Sequence, residues 1–245
     1  MVIVENVDIP VELDNIFLKG SIYYTSNTPV KAPWLINLAA FMHSRENYLV
    51  KFFSEKFANA GYYVLSYDYR AHGETKQQTG SNYFKLMPQI FTDIHVVLDW
   101  IINKQSSRVL ENKIALFGRS LGGAIILTHG FIDERARILI SLSARYDYYS
   151  AQNRYPIRLP EEKLDEYIKK ISPKFFVKEN ELNNERILIA HCRDDEIVPF
   201  KNLYQIGDHL GLRSENVIEF STGGHTFKGH REEIFKYSLE FLKKL

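Results

Sequence analysis

The sequence predicts an α/β fold: a mostly parallel, eight-stranded sheet with helices on both faces. Three observations predict it. Short β-rich apolar runs alternate with longer amphipathic ones, the longest apolar runs are strand-sized, and prolines and glycines bracket the amphipathic runs. Parallel neighbours need crossover connections, and helices between strands supply them.

In chain order, "VIVENV" and "IFLKGSIYY" follow one another with no helix between them, which predicts an antiparallel start. "WLINLA" leads to a helix over Arg45 to Ala60 that closes at Gly61, and "YYVLSYD" precedes a helix from Pro88 to Asn103. "KIALFG" is followed by a helix over Leu121 to His129 closing at Gly130, and then by the strand "RILISLS". From about residue 145 to residue 185 no strand signal occurs. That interval is rich in tyrosine and mixed charge and is too long for a plain connection, so it predicts a small cap of one or two helices above the sheet. "RILIAHC", a helix over Pro199 to Leu210 closing at Gly211, "NVIEFS" and a helix over Gly229 to Lys244 complete a single domain of residues 1–245.

With 245 residues, 45% hydrophobic and 25% charged, the chain is long enough to bury a large core. Lys plus Arg is 31 against 30 for Asp plus Glu, and no cluster of five or six like charges occurs, so nucleic acid is not an expected partner. No apolar stretch approaches the ~20 residues that span a bilayer, and the first residues lack the pattern of a signal peptide. The expectation is a protein without membrane insertion, retained in the cytoplasm. The single cysteine, Cys192, cannot form an internal disulfide or a thiolate metal cage, and reads as a small apolar side chain at a strand end.

The chemistry centres on "IALFGRSLGGAIIL", residues 114–127. Gly118-Arg119-Ser120-Leu121-Gly122 is a GxSxG pattern between a strand and a helix. Small neighbours let a sharp turn close so that the serine stands clear of the sheet, and the helix points its positive end at the site. A serine hydroxyl is a weak nucleophile near neutral pH. It needs a base, and the base needs an orienting acid, both from other strand ends. His225 in "STGGHTF" follows the last strand, and Asp194 and Asp195 in "RILIAHCRDDEIVPF" follow the one before. The other histidines, His43, His72, His95, His129, His191, His209 and His230, have easier structural readings.

These motifs, with "YDYRAHGET" at Tyr67 to Thr75, make the chain resemble the α/β-hydrolase superfamily, and within it the small-capped carboxylesterases that include cinnamoyl and feruloyl esterases and monoacylglycerol lipases. The resemblance implies the α/β-hydrolase fold and a Ser120–His225–Asp195 triad, since the family places its acid three residues before a Val-Pro pair, here Val198-Pro199. Asp194 is then a neighbour, solvated or hydrogen-bonded to its own loop. It further implies an oxyanion hole made by the backbone amides of Phe41 and Leu121. Where the family has His-Gly before the first donor, this sequence has Ala39-Ala40, and the Cβ of Ala40 resists the positive φ that glycine permits. The implied activity is acyl transfer from a small-molecule ester of a small or aromatic acid, through an acyl-enzyme, with no cofactor and no metal. Cap tyrosines Tyr146, Tyr148, Tyr149, Tyr155 and Tyr167 offer aromatic walls, with Tyr146 and Tyr149 taken as substrate-binding. Arg119, beside Ser120, has two readings, a contact to an anionic substrate and, the favoured one, a helix-face salt bridge. A serine peptidase or thioesterase on the same triad is the alternative, followed by a non-hydrolytic binding module.

Overall fold

The computed structural model describes residues 1–151 and 159–245. Its elements are β1 (Val2–Val11), β2 (Ile16–Thr25), β3 (Ala32–Leu38), α1 (Tyr48–Asn59), β4 (Tyr63–Tyr67), α2 (Lys76–Thr79), α3 (Tyr83–Lys104), β5 (Val109–Arg119), α4 (Leu121–Ile125), β6 (Ala136–Leu142), α5 (Glu161–Lys169), α6 (Asn183–Arg186), β7 (Ile187–Cys192), α7 (Lys201–Leu210), β8 (Val217–Phe220) and α8 (Arg231–Phe241). The eight strands form one sheet in the order β1-β2-β4-β3-β5-β6-β7-β8. β1 and β2 pair antiparallel, β2 meets β4 antiparallel, and every later pair is parallel, as the antiparallel start and alternating remainder predict.

Alternation along the strands divides the core between the two faces. Leu116 of β5 and Ile189 of β7 point to the layer filled by Phe91 and Ile94 of α3 and Leu203 and Ile206 of α7. Phe117 and Ala190, one residue on from each, point to the layer of Phe53 and Phe57 of α1 and Ile234 and Phe241 of α8. The helix after Ser120 therefore has to begin above strands buried on both faces, at their carboxyl edge.

Three helix boundaries differ from the sequence reading, each for a local reason. The first helix starts at Tyr48, where the Asn47 side chain accepts from the Leu49 amide. Arg45 lies outside it, buried against Asp68. The α3 helix starts five residues before Pro88, capped by Asn82, whose side chain accepts from the Lys85 amide. Proline 88 has no N–H for the Phe84 carbonyl four residues back, and the Tyr167 hydroxyl takes that acceptor at 2.6 Å. After α4 the helix widens to a π-type turn over Ile126–Gly130 and continues through Ile132. Gly130 therefore does not close it; a Cβ there would meet Leu116 Cδ1 at 2.6 Å. By contrast Gly211 does end α7, in the left-handed conformation at φ 66°.

Between β6 and β7 the described residues form α5, the short α6 and single turns with no strand, as the missing strand signal predicts. Tyr155 lies outside the described residues.

Candidate active site

The nucleophile turn is fixed from two sides. Ser120 sits between the last residue of β5 and the first of α4 at φ 58°, ψ −113°, a conformation that costs a side-chain-bearing residue ~1–3 kcal/mol. Its amide donates to the Leu142 carbonyl at the end of β6 (2.8 Å), and the Gly122 amide donates to the Ala39 carbonyl beyond β3 (3.1 Å). A Cβ on Gly122 would lie 2.8 Å from the Leu38 carbonyl carbon, and one on Gly118 would lie 2.9 Å from Leu38 Cβ. The glycines are thus where β3 and the turn touch, and their smallness allows the strain at Ser120.

Asp195 follows β7. Its Oδ1 accepts from the Ile197 and Val198 amides (2.9 Å each), and its Oδ2 accepts from His225 Nδ1 (2.7 Å) and His191 Nε2 (3.0 Å). Burial alone would raise the Asp195 pKa, but the bonds from His191, His225 and the Val198 amide outweigh it and hold the carboxyl well below the usual range. Since that carboxylate only accepts, His225 Nδ1 carries the proton and Nε2 is left as the basic nitrogen. Burial lowers the His225 pKa, outweighing the opposing pull of Asp195, so the ring is neutral at pH 7. Among the described residues Ser120 Oγ makes no hydrogen bond. The Asp195–His225 half of the arrangement is closed and the Ser120–His225 half is open.

Two neighbours that the sequence reading set aside hold the histidine loop. Asp194 bonds not to its own loop but to this one, accepting from the Gly223 and Gly224 amides at 3.1 and 2.8 Å. Arg119 forms no ion pair among the described residues; it donates from Nη1 to the His225 carbonyl (2.9 Å) and from Nη2 to His43 Nδ1 (3.3 Å). Burial lowers its guanidinium to about 10. The adjacent Asp pair and a basic residue inside a nucleophile motif were the only sequence signals for these roles. Cys192 is fully buried, and burial beside Asp194 and Asp195 pushes its thiol up to about 12, so it stays an apolar side chain.

The loop beyond β3 avoids the strain anticipated at Ala40, because the positive φ falls on Met42 (62°) instead. Ala39 accepts from the Tyr69 hydroxyl (2.9 Å), and the Met42 amide donates to His72 Nε2 (3.1 Å). His72 Nδ1 in turn donates to the Arg70 carbonyl (2.8 Å), and Arg70 grips Asp93 of α3 with two bonds of 2.8 Å. This chain from "YDYRAHGET" to α3 replaces the glycine as what shapes the loop. Among the described residues the amides of Phe41 and Leu121 have no protein acceptor.

Ser120, Phe41 and Leu121 line one cavity, whose space including its open mouth is about 700 Å³. The cap contributes Tyr148 and Tyr167 to its wall. Tyr146 and Tyr149, expected there, are elsewhere: Tyr146 bonds His209 Nδ1 (2.9 Å), and the partly exposed Tyr149 bonds Asp165 of α5. Which of these tyrosines faces the cavity depends on the path of an irregular segment, which spacing along the sequence does not encode. Among the described residues no group of His, Cys, Asp and Glu could hold a metal ion, and no helix is long and apolar enough to cross a membrane.

The sequence profile of a hydrolase family described as "Serine aminopeptidase, S33" matches residues 42–186. An "uncharacterized 31.7 kDa protein in traX-finO intergenic region" of Escherichia coli is 31% identical over 120 residues, 48% of this chain and 39% of that one. The quorum-quenching protein AidA of Acinetobacter baumannii is 29% identical over 147 residues, 58% of this chain and 45% of that one. The matches thus span less than half the length of these two relatives. Among solved structures, ferulic acid-bound Est1E from Butyrivibrio proteoclasticus superposes with a TM-score of 0.79 at 18% identity, covering 97% of this chain and 98% of that one. The acylaminoacyl peptidase of Pyrococcus horikoshii reaches 0.77 at 16% identity, covering 99% of this chain and 41% of that one. At these identities the likeness is one of fold.

Proposed function

The chain belongs to the serine aminopeptidase S33 family of α/β-hydrolases, and from that membership we propose that it is a serine esterase acting on small-molecule carboxylic esters. The observation that carries the reading is the 2.7 Å bond from His225 Nδ1 to the buried Asp195, which sets the tautomer of the ring, together with a serine held on a strained turn. In the proposed reaction His225 Nε2 takes the Ser120 proton as Oγ attacks the ester carbonyl. The oxyanion forms against the Phe41 and Leu121 amides, the first helical N–H of α4 being free of any intrahelical partner. The alcohol leaves with the proton from His225, giving an acyl-Ser120 ester, and water attacks it by the same route to release the acid.

The family description supports a second reading, an aminopeptidase. A free substrate ammonium needs an anionic partner, and none of the described residues lining the cavity is acidic, while one, Arg145, is cationic. That balance favours esters. The test is labelling with a fluorophosphonate, together with rates on p-nitrophenyl and hydroxycinnamoyl esters and on matched anilides and thioesters. We expect labelling and ester hydrolysis in the wild type and loss of both in Ser120→Ala. Faster cleavage of the anilides would reassign the protein as a peptidase, and neither labelling nor hydrolysis would leave a binding module.

A further inference from the structure

Among the described residues four arginines, Arg45, Arg70, Arg119 and Arg145, are buried, and they are not alike. Arg45 is paired with Asp68, and Arg70 with Asp93. Arg119 and Arg145 have no carboxylate within ion-pair distance among the described residues, and only Arg145 lines the cavity that holds Ser120. We propose that Arg145 is a specificity-determining residue that selects esters whose acyl chain ends in a carboxylate. The proposal rests on the esterase reading above and names the substrate class of that same pocket.

Arg145 begins the segment that leaves β6 for the cap, and it is only 8% exposed. Its Nη2 donates to the Ile197 carbonyl (3.0 Å), and its Nη1 reaches Ser150 Oγ at the long distance of 3.5 Å. A guanidinium has five N–H donors, so most of its capacity is unused, and neither acceptor carries charge. Burying a cation without a counter-ion is costly, and buried polar groups are ordinarily satisfied. The other described residues of the cavity wall, including Phe41, Phe84, Leu121, Tyr148 and Val198, are mostly apolar and supply no anion. An acyl chain lying along these side chains with a terminal carboxylate on Arg145 would satisfy both halves of the pocket. Charge-assisted, two-pronged bonds in such surroundings are the strong kind. One guanidinium balances one carboxylate; a phosphate dianion would leave charge uncompensated in the same apolar wall.

The test compares 4-nitrophenyl hexanoate with mono-4-nitrophenyl adipate, equal in chain length and differing in the terminal carboxylate. The expected wild-type ratio of kcat/KM, adipate over hexanoate, is at least ~10. Arg145→Met should cut that ratio by about 10- to 100-fold, the usual worth of a hydrogen bond to a charged group, and Arg145→Lys should keep most of it. A wild-type ratio near one overturns the proposal, as does an equal fall on both esters in Arg145→Met, which would mark Arg145 as a brace for the Ile197 loop. Calorimetric binding of monomethyl adipate to Ser120→Ala, with and without Arg145→Met, reads the same contact without turnover. If neither ester is hydrolysed the esterase reading has failed, and this binding alone judges Arg145: binding lost in the double variant sustains the carboxylate site, and no binding, or binding indifferent to Arg145→Met, overturns it.

Discussion

At the carboxyl ends of the strands Ser120 and Asp195 are held by main-chain bonds, whereas the cap is joined to the sheet through side chains. Ser120 and Asp195 are set by bonds to or from backbone atoms of Leu142, Ile197 and Val198, each within a few residues of a strand end. The cap is moored by the Tyr167 hydroxyl on the Phe84 carbonyl, by the Arg145 guanidinium on the Ile197 carbonyl, and by the Tyr146 hydroxyl on His209. Backbone placement tolerates little variation and suits chemistry. Side-chain mooring can be re-aimed by one substitution, which suits selection among substrates.

The comparison breaks if changes at the strand ends prove mild, or if changes in the cap abolish turnover. The largest expected effect is in Asp195→Asn, whose amide leaves His225 without its anionic partner: kcat on p-nitrophenyl esters should fall by ~10⁴-fold with the fold retained by circular dichroism. Next comes Gly122→Ala, which drives a Cβ into the Leu38 carbonyl; it should lower stability by about 3 kcal/mol, read as a drop of ~6–12 °C in Tm. Smaller is His72→Phe, which removes the acceptor of the Met42 amide and loosens the oxyanion loop; a loss of ~10-fold in kcat with little change in KM is expected. Smallest is Tyr167→Phe, which strands the Phe84 carbonyl at Pro88 and should cost about 1–2 kcal/mol of stability, together with a raised KM rather than a lowered kcat.

A pH profile sharpens the same contrast. The base is active when neutral, and burial shifts His225 downward from 6.5, so kcat/KM should be level at neutral pH and fall on acidification with a midpoint below 6.5. A midpoint above 6.5 would mean that the pull of Asp195 outweighs burial, contrary to the balance inferred for this site.

Much of this was legible along the chain. The strand runs, the antiparallel start, the GxSxG turn, and the order of Ser120, Asp195 and His225 rest on local pattern and on motifs, each a few residues long, and the structure seats all three residues at the carboxyl edge. The misread points are those where a partner distant in sequence decides. Pro88 reads as a helix start because proline favours that position, yet Tyr167, 79 residues on, accommodates it inside α3. Arg119 reads as a helix-face salt-bridge partner, yet at the end of β5 it donates to the carbonyl of His225, 106 residues on.

The sequence by itself determined the sheet, the crossovers and the nucleophile turn, because period, glycine and chain order act over short spans and need no knowledge of what packs where. Only the tertiary structure decided which tyrosines face the cavity, which aspartate braces the histidine loop, how the Ala39-Ala40 loop keeps its shape, and which buried arginine is left without a counter-charge. Those features depend on burial and on partners distant in the chain, such as Asp194 and Gly224, 30 residues apart, and Tyr167 and Phe84, 83 apart, and desolvation, which sets their energies, is a property of the packed molecule alone.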